Sequence, residues 1–297
     1  MQQLNNGSVR SHFSLPHGKS ISLTQPQVMG VINLAPDSFY EGSRQLTPAA
    51  VVQQAQAMIN EGATIIDIGG EPTNPSLEPN TSLETELARV LPALQALTQT
   101  LDVPISVDTS KPEVIQAIAE NGASLINDVR ALRMPGALAV AAETQLPVCL
   151  MHMQFPHGQG EGEMNPLNAE NVVATVKDFL RERRDECIAA GIRADKIILD
   201  PGIGGGSFGK STQQNLQLLK STGELLELGC PLLYGISRKS FIGEMFQQPT
   251  SERLPGSLAA ATLAVTFGAH IIRTHDVKAT KEAVQMAQAI KEVKWPL

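Results

Sequence analysis

Cysteine is scarce in this sequence. Cys149, Cys187 and Cys230 are scattered and form neither a C-x-x-C pair nor a Cys/His cluster. That spacing excludes a disulfide framework and a structural zinc site, and it predicts reduced thiols in a cytosolic protein. Positive charge is also in deficit. Lys and Arg number 23 against 30 Asp and Glu, for a net charge of −7. A nucleic-acid binder held by a broad basic surface is therefore excluded, although a local basic site for a small anion is not. The start, MQQLNNGSVRSH, lacks the apolar core of a signal peptide. No uninterrupted membrane-length apolar run exists either. The most apolar long stretch, LPGSLAAATLAVTFGAHIIR, is broken by Gly256, Gly268 and His270. It reads as a packed helix running into a strand.

Apolar residues are plentiful, at 42% against 18% charged, as expected of a globular chain. At 297 residues the chain is long enough to bury a large core without staples. Short β-branched runs alternate with longer amphipathic segments. The runs are VMGVINL, TIIDIGG, PISVDT, SLINDV, PVCLMHM, KIILDPG, PLLYGIS and HIIRTHD. Helical patterns such as PAAVVQQAQAMINEG and PEVIQAIAENG lie between them. Several segments end in glycine (Gly62, Gly122, Gly191, Gly229, Gly268), which suits a left-handed helix end. Eight apolar strands alternating with helices predict an α/β fold, a (β/α)8 barrel of the TIM type, formed by a single domain over 1–297. Residues 1–26 read as an extension, a strand or hairpin preceding the barrel.

Polar residues gather where these strands end. Asn33, Asp67, Asp108, Asn127 with Asp128, His152, Asp200, Ser237 and His275 all fall at or near strand C-termini. In a (β/α)8 barrel those ends form the floor of the active site. One such residue is ordinarily a turn former or helix cap, but repetition at nearly every strand points to a site. Arg273 and His275 alternate along the last strand, so their side chains share a face and read as an anion clamp.

One motif points elsewhere. GGGSFGKS, Gly204 to Ser211, fits the phosphate-binding pattern G-x-x-x-x-G-K-[ST] between a strand and a helix. Only two candidate strands follow it, and the loop opens with Asp200-Pro201-Gly202. That context suits a flexible loop over a barrel mouth better than a phosphate-cradling nest.

Taken together, the strand-end motifs resemble the dihydropteroate synthase family. MGVINLAPDSF, ATIIDIGGEPTNP, PISVDTSKPEVIQAIAENGASLINDV, VCLMHMQ, ILDPGIG, SRKSFIG and HIIRTHDV follow in the family's order over about residues 27 to 280. The resemblance implies joining of a dihydropterin bearing a CH2-diphosphate to the amine of p-aminobenzoate, with diphosphate leaving. It implies a pterin pocket lined by Asp108, Asn127, Asp200 and Lys239. These are the carboxylate, amide and cation types that a pyrimidine edge requires. It places Thr73, Phe208, Ser237 and Arg238 near the aminobenzoate, with Arg238 either pairing with its carboxylate or supporting the loop. It implies that Lys239, Arg273, His275 and Asp108 carry catalysis by charge stabilisation and positioning, with no nucleophile required. It further implies Mg2+ on the diphosphate with Asn33 at the metal side, a homodimer, and a cytoplasmic enzyme.

The chain departs from the family pattern in three loops. Ala35 replaces the usual Thr, Asn74 stands where Arg is usual, and Gly205, Gly206 and Ser207 lengthen the sixth loop. These changes are expected to tune aminobenzoate or sulfonamide-like binding while leaving the pterin pocket intact. The first loop, with Phe39 and Tyr40, reads as a lid. Two other readings compete: a methyltetrahydrofolate-binding methyltransferase module, and a non-catalytic pterin-binding paralogue. The SRKSFIG and RTHD motifs favour the synthase, because a methyl carrier has no diphosphate to hold.

Overall fold

The computed structural model describes residues 11–35, 47–72, 81–154, 167, 170–205 and 208–293. A short antiparallel hairpin, β1 (His12–Ser14) and β2 (Ser20–Ser22), precedes eight parallel strands. These are β3 (Gln27–Asn33), β4 (Ile65–Gly69), β5 (Ile105–Asp108), β6 (Leu125–Asp128), β7 (Val148–Met151), β8 (Ile197–Asp200), β9 (Leu233–Gly235) and β10 (Ile271–Thr274). Each strand pairs with its sequence neighbour, and β10 pairs with β3. A parallel bridge between Leu199 and Leu232 joins β8 to β9 and closes the ring. The eight-stranded barrel expected from the sequence is therefore present.

Helices cover the outside. They are α1 (Pro48–Asn60), α2 (Leu83–Thr100), α3 (Pro112–Glu120), α4 (Ala137–Thr144), α5 (Val172–Ala189), α6 (Thr212–Lys220), α7 (Thr222–Leu225), α8 (Ser240–Phe246), α9 (Leu254–Thr266) and α10 (Val277–Glu292). Local chemistry sets several boundaries. Thr47 and Ser82 cap α1 and α2 by accepting the backbone N–H of Ala50 and Thr85. Ser211 and Gln214 form a reciprocal capping box at the start of α6. The five helix-ending glycines all have positive φ, as expected. The apolar stretch at 254–273 is α9 followed by β10, and no helix among the described residues is long and apolar enough to cross a membrane.

Strand alternation divides the apolar residues into two cores. Val28, Ile32, Ile66, Ile68, Ile105, Val107, Ile126, Val148, Leu150, Ile197, Leu199 and Ile272 face outward and pack against the helices. Met29, Ile65, Leu125, Cys149, Ile198, Leu233 and Ile271 face inward and fill the lower barrel together with Phe13, Leu15 and Ile21 of the hairpin segment. The hairpin thus plugs the N-terminal mouth. Burial of these side chains stabilises by roughly 1.5–3 kcal/mol each before entropy is counted. It also leaves only the C-terminal mouth open to ligands, where inward positions turn polar.

Candidate active site

The inward-facing residues above the apolar layer are charged. Asp67 on β4 is fully buried and accepts the Arg273 Nε–H at 2.7 Å. Arg273, on β10, also donates from Nη2 to Asp108 of β5 at 3.1 Å. Asn127 on β6 donates to Asp67 at 3.3 Å. Burial works against the charge of Arg273, but Asp67, Asp108 and Asp200 outweigh it and raise its pKa. Asp108 shows the reverse balance. Burial pushes it up to about 7; Arg273 pulls it back, while Asp67, Asp128 and Glu71 push further.

Asp200 ends β8 and faces the same space. Burial raises its pKa to about 6, opposed by the Gly202 N–H at 2.7 Å and by Lys239, Lys210 and Arg273. Lys239 lies just before α8, with its ammonium 3.7 Å from the centre of the Phe208 ring. Burial and Arg273 lower its pKa to about 8, against the pull of Asp200 and Asp108. The mouth therefore holds buried carboxylates and cations whose opposite charges support one another.

Its rim is built by the seventh and eighth loops. Ser237 Oγ accepts the backbone N–H of His275 at 3.3 Å and lies 3.1 Å from His275 Nδ1. His275 is exposed at the rim, yet desolvation by the surrounding protein, then the Arg273 charge, lower its pKa to about 4, so the ring is neutral at pH 7. Arg238 has a left-handed backbone, φ 56°. Its guanidinium clasps Asp276 through Nε at 2.8 Å and Nη2 at 2.7 Å, and Nη1 reaches the carbonyls of Thr250 and Ser251. Of the two roles left open by the sequence, this geometry matches loop support.

Sequence order misassigned two members of the proposed floor. Asp128 follows Asn127 and so faces the opposite side of β6. It accepts the Ser110 hydroxyl and the N–H groups of Arg130 and Leu132, both at 2.7 Å, and organises a turn outside the barrel. His152 is fully buried, edge-on to Phe179 of α5 at 4.9 Å, and among the described residues neither ring nitrogen has a hydrogen-bond partner. It is a core residue. Asn33 ends β3 in register with inward-facing Met29. Thr73, Phe39, Tyr40, Asn74, Gly206 and Ser207 lie outside the described residues.

Several contributors were not singled out from sequence. Asp67 was noted at a strand end, but not as the anchor of Arg273. A second network supports Glu71, at the start of the second loop. Lys111 bonds Glu71 and, at 2.5 Å, buried Glu86, which also accepts the Thr109 hydroxyl at 2.5 Å. Among the described residues no group of three or more His, Cys, Asp or Glu side chains is arranged to hold a metal.

Comparison with known proteins defines the class. Residues 29–275 match the family model for pterin binding enzyme, and the chain belongs to that family. Its named relatives fall in one branch, the dihydropteroate synthases. The chain is 48% identical to the dihydropteroate synthase of Escherichia coli (strain K12), covering 93% of this chain and 96% of that protein. It is 44% identical to the Haemophilus influenzae enzyme, over 92% and 97% of the two chains. Among solved structures, the Yersinia pestis dihydropteroate synthase in a sulfonamide drug complex superposes with a TM-score of 0.86 at 44% identity, covering 95% of this chain and 100% of that one. The Xanthomonas albilineans enzyme in complex with 7,8-dihydropteroate superposes with a TM-score of 0.80 at 42% identity, over 93% and 98%.

Proposed function

We propose that the barrel mouth condenses 6-hydroxymethyl-7,8-dihydropterin diphosphate with p-aminobenzoate to give 7,8-dihydropteroate and diphosphate, as a dihydropteroate synthase. The observation that carries this reading is Arg273, held by Asp67 and Asp108 at the open end of the barrel beside Asp200 and Lys239. The C–O bond between the pterin methylene and diphosphate breaks, and the electron pair leaves with the diphosphate. The aniline nitrogen forms the new C–N bond and gives up one proton to solvent. No covalent enzyme intermediate is required.

Each inward side chain has a task that suits its chemistry. Asp200, Asn127 and Lys239 offer a carboxylate, an amide and an ammonium to the donor–acceptor edge of the pterin. Asp108 in its ionised form faces the cation that develops at the methylene. Arg273 meets the negative charge developing on the leaving group. His275 is neutral. With Ser237 oriented toward Nδ1, its Nε2–H is free to donate to a phosphate oxygen. Arg238, through Asp276, holds both rim loops in register. Phe208 faces the aminobenzoate in this reading, and Thr73 keeps the assignment to the same substrate that the family resemblance implies.

Mg2+ fits the site only as a companion of the diphosphate. The inward-facing amide of Asn33 would offer one oxygen donor to an ion that prefers oxygen ligands. When bound, the ion neutralises charge on the departing diphosphate. Leu263 and Phe267 near the end of α9 and Met286 and Ile290 on α10 are exposed on packed neighbouring helices. A second copy of the chain is the occupant we assign to that apolar face. The three free, buried cysteines support a cytoplasmic setting.

The test is direct. Purified protein is incubated with the pterin diphosphate, Mg2+ and p-aminobenzoate while diphosphate and dihydropteroate are followed. Equal amounts of both products are expected. The absence of dihydropteroate with both substrates present would overturn the reading.

A further inference from the structure

Lys210 is the lysine of the phosphate-loop-like stretch Gly204 to Ser211, yet its side chain turns away from the position such a lysine needs. It is 4% exposed, and its ammonium donates to the carbonyls of Gly202 at 2.8 Å, His152 at 3.2 Å and Phe208 at 3.3 Å. An ammonium has three N–H bonds, and here all three are used on backbone oxygens. None remains for a phosphate.

The three carbonyls come from two loops: His152 follows β7, while Gly202 and Phe208 lie at the near and far ends of the sixth loop, which follows β8. Lys210 therefore ties two strand ends to the loop that follows them. The surrounding backbone is compressed around this tie. Gly202 has φ 70°, and a Cβ there would meet the His152 carbonyl at 1.9 Å. A Cβ on Gly204, φ 152°, would meet the Phe208 ring at 2.8 Å. From α6, fully buried Asn215 accepts the Gly204 N–H at 2.7 Å and donates to the Ser211 carbonyl at 2.9 Å. Burial lowers the Lys210 pKa to about 7, and Asp200 works to keep it charged. The Phe208 ring, so placed, is the one that lies 3.7 Å from the Lys239 ammonium.

We infer that Lys210 is a positioning residue for the second substrate: by fixing the Phe208 carbonyl to two strand ends, it holds the Phe208 ring as the wall between Lys239 and the aminobenzoate. The inference rests on the synthase reading above, and it explains how a loop lengthened by Gly205, Gly206 and Ser207 still presents an ordered aromatic wall. The phosphate-loop resemblance then has a physical origin. A glycine-lysine-serine sequence before a helix serves a backbone tie as readily as a phosphate cradle, depending on which way the lysine turns.

The experiment compares Lys210→Met, Phe208→Leu and the double variant with the parent enzyme. The KM for p-aminobenzoate is expected to rise about tenfold in each, the scale of one lost aromatic contact. Binding of the pterin diphosphate, measured without p-aminobenzoate, is expected to weaken by clearly less than this, because Asp200 keeps Lys239 and Arg273 as compensating cations. Because Lys210 acts through Phe208, the double variant should be no worse than about either single one. If Lys210→Met does not fold, Lys210→Gln is judged by the same criteria. Equal losses for both substrates, an unchanged KM in a folded variant, or fully additive effects would overturn the assignment. The parent is assayed first. A parent that makes no dihydropteroate overturns the synthase reading instead, so the two failures are distinct.

Discussion

Arg273 and Asp67 are 206 residues apart in sequence, yet the Arg273 Nε lies 2.7 Å from the Asp67 carboxylate inside the barrel. Asp67 is fully buried, and among the described residues one of its oxygens has no hydrogen-bond partner. It therefore acts on the reaction through Arg273, by fixing the plane of the guanidinium. Asp67→Asn keeps the shape but removes the charge that orients and compensates the cation. Turnover is expected to fall by about 10- to 100-fold with a smaller change in the KM for p-aminobenzoate, as for loss of an orienting contact to a charge-stabilising donor. Steady-state kinetics with each substrate varied would check this. A rise confined to the p-aminobenzoate KM would count against it.

The pH dependence follows chiefly from Asp108 and Lys239, two mouth groups whose pKa values lie close to neutrality. Asp108 is raised to about 7 and must be ionised to face a developing cation. Lys239 is lowered to about 8 and must keep its proton to bind the pterin edge. The kcat/KM for pterin diphosphate should therefore fall below about pH 7 and above about pH 8, with both limbs reporting a coupled set of groups. Arginine does not titrate in this range, so Lys239→Arg should retain a lower rate but lose the alkaline limb. An alkaline limb that persists unchanged in that variant would assign it to another group.

His152 contributes to the loss of stability in acid, with the same sign as His270 and His275. Burial holds its pKa well below the usual 6.5, with Lys210 and Arg133 adding to the effect. In the unfolded chain the ring takes a proton as pH falls through 6.5, whereas the folded chain keeps it neutral. Stability is therefore lost as pH drops through that value. Asp108 and Asp200 contribute with opposite sign, but equally in parent and variant. Urea unfolding at pH 7.5 and pH 5.5 should show His152→Leu losing less stability on acidification than the parent does. Equal losses would show that His152 does not contribute.

The apolar face formed by α9 and α10 makes a prediction about assembly. Leu263 is 51% exposed, Met286 63% and Ile290 70%. If a second copy covers them, Leu263→Glu combined with Met286→Glu should shift the sedimentation mass from dimer toward monomer. Both residues lie on the outer surface, away from the barrel mouth, so the fold should persist. A parent that sediments as a monomer at micromolar concentration would refute the pairing.

The barrel itself was legible because each strand is a short apolar run, five of them preceded by a helix-ending glycine, and alternation was enough to place Arg273 and His275 on one face. The same alternation, applied to adjacent residues, separates Asn127 from Asp128. A strand-end position alone does not. His152 misled for the same reason: its N–H continues the β7–β8 ladder to the Asp200 carbonyl, and alternation from inward-facing Cys149 turns its ring outward against Phe179. The Asp67–Arg273 pair and the Lys210 tie had no local signal. Both depend on ring closure and on the direction in which a long side chain turns. The hairpin was expected, but not that Phe13 and Ile21 would fill the barrel's lower end.

The central claim is that negative charge on the departing diphosphate is met by Arg273, with Lys239 securing the pterin. Turnover of Arg273→Ala and Lys239→Ala, followed by diphosphate release and dihydropteroate formation together, tests it most directly. Each variant should lose at least ~10²-fold in turnover while both products fall in step. Near-parent rates in the two variants would contradict the roles assigned to them.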